Sequence, residues 1–416
     1  MRRWSVCPPT RLRGSAPACV EPRARPRPLA PARAPAHTGQ VRPATATAAA
    51  VSTLIGVGAA AVAAGRYASH AALRAQARRP LPGDPRLTVH DTAPGRVVLT
   101  RSLASLRPGT YGLEGPGVHA VVGPVLDGVP HGPDTVVRRL VHITEGGLHP
   151  GTRVRLTPQV YIGDPGAALG IAHSEILVPG ELGALPAWFV PGARTTWVIA
   201  VHGLGTTREH TMNVMEFLHA QQFPILSLAY RGDPGAPRPP DGLGHLGDSE
   251  WRDLDAAVRH AVRNGAERVI VHGWSVGASM ALHAAANSGL RDRISGVVLD
   301  SPVLEWEATV RALAAARRTP APLLPLVVRA AQGRTGPHSD RLAEAVGDPL
   351  SLDVPALIFH GPHDTLASWD RSRRLAARRP ELVTLHTVPH APHAAMWNAD
   401  PKAYEEVLRR FLTPLM

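Results

Sequence analysis

The chain has 416 residues, two cysteines and a formal net charge of +12. The excess charge lies at one end, because residues 1–79 contain thirteen arginines and one acid, whereas residues 80–416 contain 32 bases and 32 acids. A neutral main part excludes an electrostatic footprint for DNA or RNA, so we expect no nucleic-acid partner. Both cysteines precede residue 20, which excludes a disulfide framework in the rest of the chain. The single lysine among 44 arginines is typical of GC-rich bacteria such as actinobacteria.

Two N-terminal segments precede the globular part. Residues 1–42 are rich in Arg, Pro and Ala without apolar periodicity, which predicts a disordered leader. Residues 43–65 are uncharged and long enough to cross a bilayer, so we interpret them as a transmembrane or signal-anchor helix. A cleaved signal and a soluble Ala-rich helix are the alternatives. The arginines before this stretch favour a cytoplasmic N-terminus, a single-pass membrane protein and an extracytoplasmic C-terminal part, and residues 66–82 are interpreted as a linker.

Residues 83–171 form a region with a β-rich pattern. Short runs of β-branched and apolar residues recur there at a spacing of roughly ten residues, separated by Gly, Pro and Asp turns. The runs are 96–100, 118–122, 135–141 and 153–156. This pattern predicts a small sheet or barrel. Either a separate β-domain or a β-extension packed on the following domain accounts for it.

Residues 172–416 alternate between strand and helix patterns. The strand candidates are 176–178, 187–190, 196–201, 224–230, 268–272, 294–300, 355–360 and 382–388. Alternation of this kind predicts an α/β fold with a mainly parallel, doubly wound sheet. Ligands meet such a sheet at the carboxyl ends of its strands. Residues 301–353 contain two short helical patterns, 308–318 and 323–332, which predict a small cap.

The pentapeptide Gly273-Trp274-Ser275-Val276-Gly277 lies between a strand pattern and an Ala-rich helical pattern. In that context G-x-S-x-G predicts a nucleophile elbow, in which glycines permit the tight turn and Ser275 is the nucleophile. The N–H of Val276, at a helix N-terminus, can then bind an oxyanion. A serine that only caps the helix is the alternative interpretation.

Three further residues complete the predicted site. Leu204 lies in a Gly-rich turn after a strand, and its N–H would form an oxyanion hole with that of Val276. Asp364 and His393 each follow a late strand, so the chain order is Ser, Asp, His. In such a triad the histidine transfers the serine proton and the aspartate orients the imidazole. Asp300 and His390 are the alternative acid and base.

These motifs resemble the α/β-hydrolase superfamily from about residue 172 to the end. The segments that carry the resemblance are His202-Gly203-Leu204-Gly205, the elbow, Leu299-Asp300-Ser301-Pro302, His360-Gly361-Pro362-His363-Asp364 and His393-Ala394-Ala395-Met396-Trp397-Asn398. The last is similar to serine hydrolases near the prolyl-oligopeptidase-like and dienelactone-hydrolase-like branches. The resemblance implies an α/β-hydrolase fold with Ser275 as nucleophile, Asp364 as acid and His393 as base.

A serine at the elbow indicates acyl transfer to water. We therefore predict a serine hydrolase that cleaves carboxylic ester or thioester bonds of a small-molecule or peptide acyl substrate. A prolyl-oligopeptidase-like serine peptidase and a non-catalytic binding protein with the hydrolase fold are the alternatives. The sequence contains no H-E-x-x-H, C-x-x-C or G-x-G-x-x-G pattern in a fitting context, so we expect neither a metal nor a cofactor.

Overall fold

The computed structural model describes residues 59–74, 81, 85–335 and 352–416. The strands are β1 (Leu87–Ala93), β2 (Arg96–Thr100), β3 (Tyr111–Gly115), β4 (Val118–Val125), β5 (Thr135–Glu145), β6 (Arg153–Thr157), β7 (Ser174–Pro179), β8 (Ala184–Val190), β9 (Thr196–Val201), β10 (Ile225–Leu228), β11 (Arg268–Trp274), β12 (Ile294–Asp300), β13 (Ala356–His360) and β14 (Val383–Thr387).

The helices are α1 (residues 59–73), α2 (Pro165–Leu169), α3 (Met212–Ala220), α4 (Trp251–Arg263), α5 (Val276–Asn287), α6 (Trp306–Ala316), α7 (Leu324–Thr335), α8 (Trp369–Arg378), α9 (Met396–Ala399) and α10 (Pro401–Leu412). The predicted leader, residues 1–42, lies outside the described residues. The same holds for residues 43–58 of the predicted membrane helix and for residues 336–351 of the predicted cap.

Strands β1 to β6 form a closed antiparallel barrel in the order β1-β2-β5-β4-β3-β6. Alternate residues point inward, as the two-residue period of a strand requires. Val97 and Leu99 of β2 and Val154 and Leu156 of β6 are buried in the barrel core. The sequence pattern missed β1, where few residues are apolar, and β3, where two of five residues are glycine. Both segments have a weak intrinsic preference for the β-strand conformation, and pairing with neighbouring strands overcomes it.

The second sheet has eight strands in the order β14-β13-β12-β11-β9-β10-β8-β7. All neighbouring pairs from β14 to β10 are parallel, whereas β8 and β7 add an antiparallel edge. Within β9, Val198 and Ala200 pack in the cluster that contains α3 and α10. Ile199 and Val201 pack in the cluster that contains α4 and α5. The predicted mainly parallel sheet, covered on both faces, is confirmed.

Helix α1 packs on the sheet domain and its cap. Ala72 and Leu73 are buried in the core cluster that includes Leu243, and the Leu73 carbonyl accepts the Gly244 N–H at 2.6 Å. The interpretation of residues 66–82 as a linker therefore does not hold for residues 66–73, because their apolar face has a protein surface to cover. Within the described ranges, no helix combines the length and the apolarity needed to cross a membrane.

Arg138 of β5 is completely buried inside the barrel region. Its guanidinium donates hydrogen bonds to four backbone carbonyls, those of Gly123, Ser105, Arg107 and Gly109, at 2.6–3.0 Å. The group therefore holds the loop between β2 and β3 against β4 and β5. A buried charge of this kind is tolerated because its donors are hydrogen-bonded.

Replacing Arg138 with Met should lower the free energy of unfolding by about 2 to 5 kcal/mol, because buried carbonyls would lose their donors. Denaturant titration followed by tryptophan fluorescence and circular dichroism would measure the loss. The matched control is Arg139→Met, since the neighbouring side chain is exposed, and it should change stability by less than about 0.5 kcal/mol. Equal effects of the two substitutions would contradict the structural role of Arg138.

Candidate active site

Ser275 lies in the single-residue turn between β11 and α5. Its backbone has φ 53° and ψ −112°, a sparsely populated conformation for a residue with a side chain. The turn is close-packed: a Cβ at Gly277 would lie 2.2 Å from the Val201 carbonyl oxygen of the neighbouring strand. Glycine is therefore required there, and the helix can start directly beside β9. This turn presents the Ser275 side chain at the carboxyl end of the parallel strands, where it is completely buried.

The hydroxyl of Ser275 is the first member of a hydrogen-bonded series. Ser275 Oγ lies 2.6 Å from His393 Nε2, and His393 Nδ1 lies 2.7 Å from Asp364 Oδ2. The three residues come from the ends of β11 and β13 and from the loop after β14. The structure thus brings together Ser275, Asp364 and His393, although 118 residues separate the serine from the histidine in the chain. This is the geometry that a Ser-His-Asp triad requires.

Asp364 is held by four donors. Its Oδ1 accepts the N–H groups of Leu366 and Ala367, both at 2.8 Å, and its Oδ2 accepts from His393 and, at 3.1 Å, from His360. Burial acts to raise the pKa of this carboxyl, but the attraction of His393 and the histidine hydrogen bonds outweigh burial and hold the pKa well below its usual range. Asp364 is therefore a carboxylate at neutral pH. The role of His360, whose Nδ1 contacts Ser372 Oγ at 2.7 Å, was not predicted.

The turn after β9 approaches Ser275 closely. A Cβ at Gly203 would lie 2.7 Å from the Ser275 Cβ, so only glycine allows this approach. His202 anchors the turn, because its Nε2 lies 2.7 Å from the Asp233 carboxylate and its Nδ1 lies 2.9 Å from the Gly203 carbonyl oxygen. The backbone of Leu204, next in sequence, is thereby fixed near the start of α5. Val276 is the first residue of that helix, where N–H groups have no partner within the helix.

Asp300, the alternative acid, does not bond to either ring nitrogen of His393. Its Oδ1 accepts the Ser301 hydroxyl at 2.9 Å, and the Ser301 Oγ in turn accepts the Ala394 N–H at 2.9 Å. Asp300 and Ser301 therefore support the backbone next to His393. Ser301 was not singled out in the sequence as a site residue, although it lies in the Leu299–Pro302 motif. Its contact joins residues 93 positions apart, which local sequence does not reveal.

His390, the alternative base, is exposed and lies beside His363, with ring centroids 5.0 Å apart. Its backbone N–H approaches His363 Nδ1 at 3.3 Å. No hydrogen bond between His390 and Ser275 occurs among the residues that the structure describes. The two histidines lie three positions apart, and only His393 reaches the serine.

The barrel contacts the segment that follows His393. The side-chain Nδ2 of Asn398 donates to the backbone carbonyls of Thr110 and Pro158, both at 2.9 Å. The backbone carbonyl of Asn398 accepts the Thr110 N–H at 2.8 Å. Ala395 packs in the barrel core. The barrel is therefore in direct contact with the loop that carries His393, and Asn398 supplies the connection.

A cavity of about 240 Å³ lies between the barrel and the sheet domain. Its walls include Tyr111, Glu114 and Arg155 of the barrel and Leu366 and His393 of the sheet domain. Glu114 and Arg155 form an ion pair at 3.0 Å, so their charges offset one another. Among the described residues, no cluster of three or more histidine, cysteine or acidic side chains is arranged to hold a metal ion.

Two family models match parts of the chain. Residues 192–338 match a family described as serine aminopeptidase, S33, and this match includes the elbow and the Leu204 turn but ends before Asp364. Residues 88–157, which form the barrel, match a family described as a domain of unknown function.

Similar proteins are found in several organisms. The uncharacterized protein YfhR of Escherichia coli O157:H7 is 23% identical over 236 residues, covering 55% of this chain and 76% of that protein. Among solved structures, an esterase of Pyrococcus furiosus is 21% identical with a TM-score of 0.49, covering 61% of this chain and 96% of its own. A hyperthermophilic esterase of Pyrobaculum calidifontis is 19% identical with a TM-score of 0.44, covering 58% and 84%.

The family match and the sheet order agree with the resemblance seen in the sequence. The chain is an enzyme of the α/β-hydrolase type, and the part that matches the serine aminopeptidase family, residues 192–338, follows the closed barrel.

Asp300 should make the stability of the protein depend on pH. Burial raises the pKa of this carboxyl to about 7, so between about pH 4 and 7 the unfolded chain releases a proton that the folded protein retains. The contribution of Asp300 to the free energy of unfolding is then fully present below the pKa that Asp300 has in the unfolded chain. As pH rises toward 7 this contribution is lost, and the free energy of unfolding falls by about 1.4 kcal/mol per pH unit. Asp300→Asn removes this titration.

Urea denaturation of the wild type and of Asp300→Asn between pH 5 and pH 8 tests this expectation. Relative to the variant, the wild type should lose stability from pH 5 to pH 7 and remain level above about pH 8. A stability difference that is constant over the whole range would show that Asp300 ionises like an exposed carboxyl.

Proposed function

We propose that the protein is an esterase-type serine hydrolase that cleaves carboxylic ester or thioester bonds of small molecules through an acyl-enzyme. The observation that carries the proposal is the hydrogen-bonded series from Ser275 through His393 to Asp364. The backbone N–H groups of Leu204 and Val276 are the proposed oxyanion hole, because Val276 begins α5 directly after Ser275 and the neighbouring Gly203 packs against Ser275. A nucleophile, a base, an orienting carboxylate and oxyanion donors together meet the requirements of acyl transfer.

In the first half-reaction, Ser275 Oγ attacks the carbonyl carbon of the substrate while its proton passes to His393 Nε2. The carbonyl oxygen becomes an oxyanion, which the N–H groups of Leu204 and Val276 stabilise. The C–O bond to the leaving group then breaks, and His393 donates its proton to the departing oxygen. The product alcohol leaves, and the acyl group remains bonded to Ser275.

In the second half-reaction, water attacks the acyl carbonyl carbon while His393 Nε2 accepts a proton from the water. An oxyanion forms again, accepts hydrogen bonds from the same N–H groups, and collapses to the carbonyl as the bond to Ser275 Oγ breaks. His393 returns the proton to Ser275, and the carboxylic acid leaves. Asp364 stays ionised throughout and stabilises the imidazolium, a role that its four hydrogen bonds support.

A peptidase is the second candidate, because the family model that matches residues 192–338 is described as a serine aminopeptidase. An aminopeptidase must bind the protonated amino terminus of its substrate, for which a carboxylate with unbalanced charge is suitable. The acid in the cavity beside His393 is Glu114, and it is paired with Arg155 at 3.0 Å. Ester hydrolysis is therefore favoured over peptide hydrolysis as the activity of this site.

Attachment to a membrane through residues 43–65, with an extracytoplasmic catalytic part, stays a prediction from the sequence. Fractionation of producing cells, with detection of the intact chain in the membrane or the soluble fraction, would test it.

A fluorophosphonate probe should label the wild-type protein at Ser275. Ser275→Ala should abolish labelling, and His393→Ala should slow it by about 100-fold or more because the proton acceptor is lost. His390→Ala is the matched control, since this exposed histidine lies only three positions away, and it should be labelled at nearly the wild-type rate. Undiminished labelling of Ser275→Ala would overturn the assignment of the nucleophile.

The substrate class is tested with two panels of equal concentration, p-nitrophenyl esters and aminoacyl p-nitroanilides. We expect ester hydrolysis that depends on Ser275, with kcat/KM for the anilides lower by about 100-fold or more, or roughly 3 kcal/mol of transition-state binding. Preference for the anilides would instead establish the peptidase.

A further inference from the structure

A second cavity of about 70 Å³ lies beside the proposed oxyanion donors. It is lined by Gly203, Leu204 and Val276, whereas the larger cavity of about 240 Å³ is lined by His393. The two cavities share the walls formed by Leu204, Gly205, Thr206 and Leu81. Ser275 itself is buried, with one cavity next to its oxyanion side and the other next to its base.

The proposed chemistry assigns a different part of the substrate to each cavity. The leaving-group oxygen must receive a proton from His393, so the leaving group lies in the larger cavity. With the carbonyl oxygen directed at the N–H groups of Leu204 and Val276, the acyl chain points away from His393. The 70 Å³ cavity lies on that side, next to Val276 and Leu204.

One wall of the small cavity comes from the N-terminal part of the chain. Ala72, Leu73 and Arg74 at the end of α1 line it, together with Leu81. We call residues 59–74 and Leu81 the N-terminal arm. The arm is anchored there, because Ala72 and Leu73 are buried in the main core and Arg317 of the cap region donates a hydrogen bond to the Ala71 carbonyl. Leu246 and Leu313 also line the cavity.

Of the five charged residues that line this cavity, four have ion-pair or hydrogen-bond partners within the protein, and Arg74 is the fifth. Arg231 is paired with Asp253 at 2.6 Å and with Glu181 at 3.1 Å. Asp233 accepts from His202, and Glu250 accepts the N–H groups of His245 and Gly247. The uncharged side chains that line the cavity are mainly leucine, valine and alanine, together with Thr206 and Tyr230. Such a lining suits an uncharged hydrocarbon chain.

We propose that the N-terminal arm forms the end wall of the acyl-binding pocket and restricts the substrate to short, apolar acyl groups. The inference rests on the proposed esterase function. A volume of 70 Å³ accommodates about five to seven water-sized groups at roughly 10–15 Å³ each. The pocket thus fits an acyl group of about four to six carbons, and Leu73 and Leu81 set its length.

The experiment measures kcat/KM for p-nitrophenyl acetate, butyrate, hexanoate and decanoate. The wild type should prefer butyrate or hexanoate and should cleave decanoate about tenfold or more less efficiently, because extra methylenes have no room. Leu73→Ala removes part of the end wall and should raise the decanoate-to-butyrate ratio about fivefold or more. Ala72→Val narrows the pocket and should lower the hexanoate-to-acetate ratio.

Each ratio compares kcat/KM for two esters measured with the same variant. A smaller fraction of folded enzyme lowers both values equally and therefore leaves the ratio unchanged. Leu81→Ala provides a second enlargement if Leu73→Ala does not fold, because Leu81 is only half-buried. The matched control is Leu326→Ala: Leu326 lies next to Gly65 of α1 but does not line the cavity, so this substitution should leave the ratios unchanged.

The outcomes separate the two proposals. Ester hydrolysis with ratios that respond to the arm variants but not to Leu326→Ala supports the inference. Hydrolysis with ratios that no arm variant changes overturns the inference alone and leaves the esterase function intact. If the wild type cleaves none of the esters, the proposed function fails and the inference fails with it.

Discussion

The close packing of the turn at Ser275 is the constraint on which the site depends. Ser275 adopts a strained backbone conformation, and the glycine at 277 lets α5 begin against β9 with a separation that no side chain would permit. The cost of the strain, about 1 to 3 kcal/mol, is offset by the sheet that surrounds the turn. In return, one residue supplies a hydroxyl and the next supplies a helix N-terminal N–H, so the proposed nucleophile and one proposed oxyanion donor share one rigid element.

Two buried carboxyls near His393 have opposite properties because their surroundings differ. The attraction of His393 and the hydrogen bonds from His393 and His360 keep the pKa of Asp364 low despite burial. Asp300 Oδ1 accepts the Ser301 hydroxyl, and burial raises the pKa of Asp300 to about 7. Only Asp364 is therefore suited to stabilise a positively charged imidazole at neutral pH. Asp300 instead acts through Ser301 on the backbone of Ala394, which keeps the loop of His393 in place.

The site is completed by parts of the chain that lie outside the parallel sheet. The barrel contacts the loop of His393 through Asn398 and supplies Tyr111 and Arg155 to the larger cavity. The N-terminal arm closes the smaller cavity with Leu73 and Leu81. Because the elements around Ser275 are common to the fold, the groups that distinguish one substrate from another are expected on these added elements.

The sequence by itself determined the elements whose signals are local. The strand at 96–100, the elbow at Ser275 and the order of Ser275, Asp364 and His393 are visible because apolar periodicity and glycine spacing act over a few residues. Tertiary structure alone decided the rest. Strand β3 has two glycines and forms only by pairing with its neighbours. The contact between Asn398 and Thr110 spans 288 residues, and the docking of Leu73 needs a preformed surface. Such contacts depend on the folded surfaces that meet, so no local pattern in the chain encodes them.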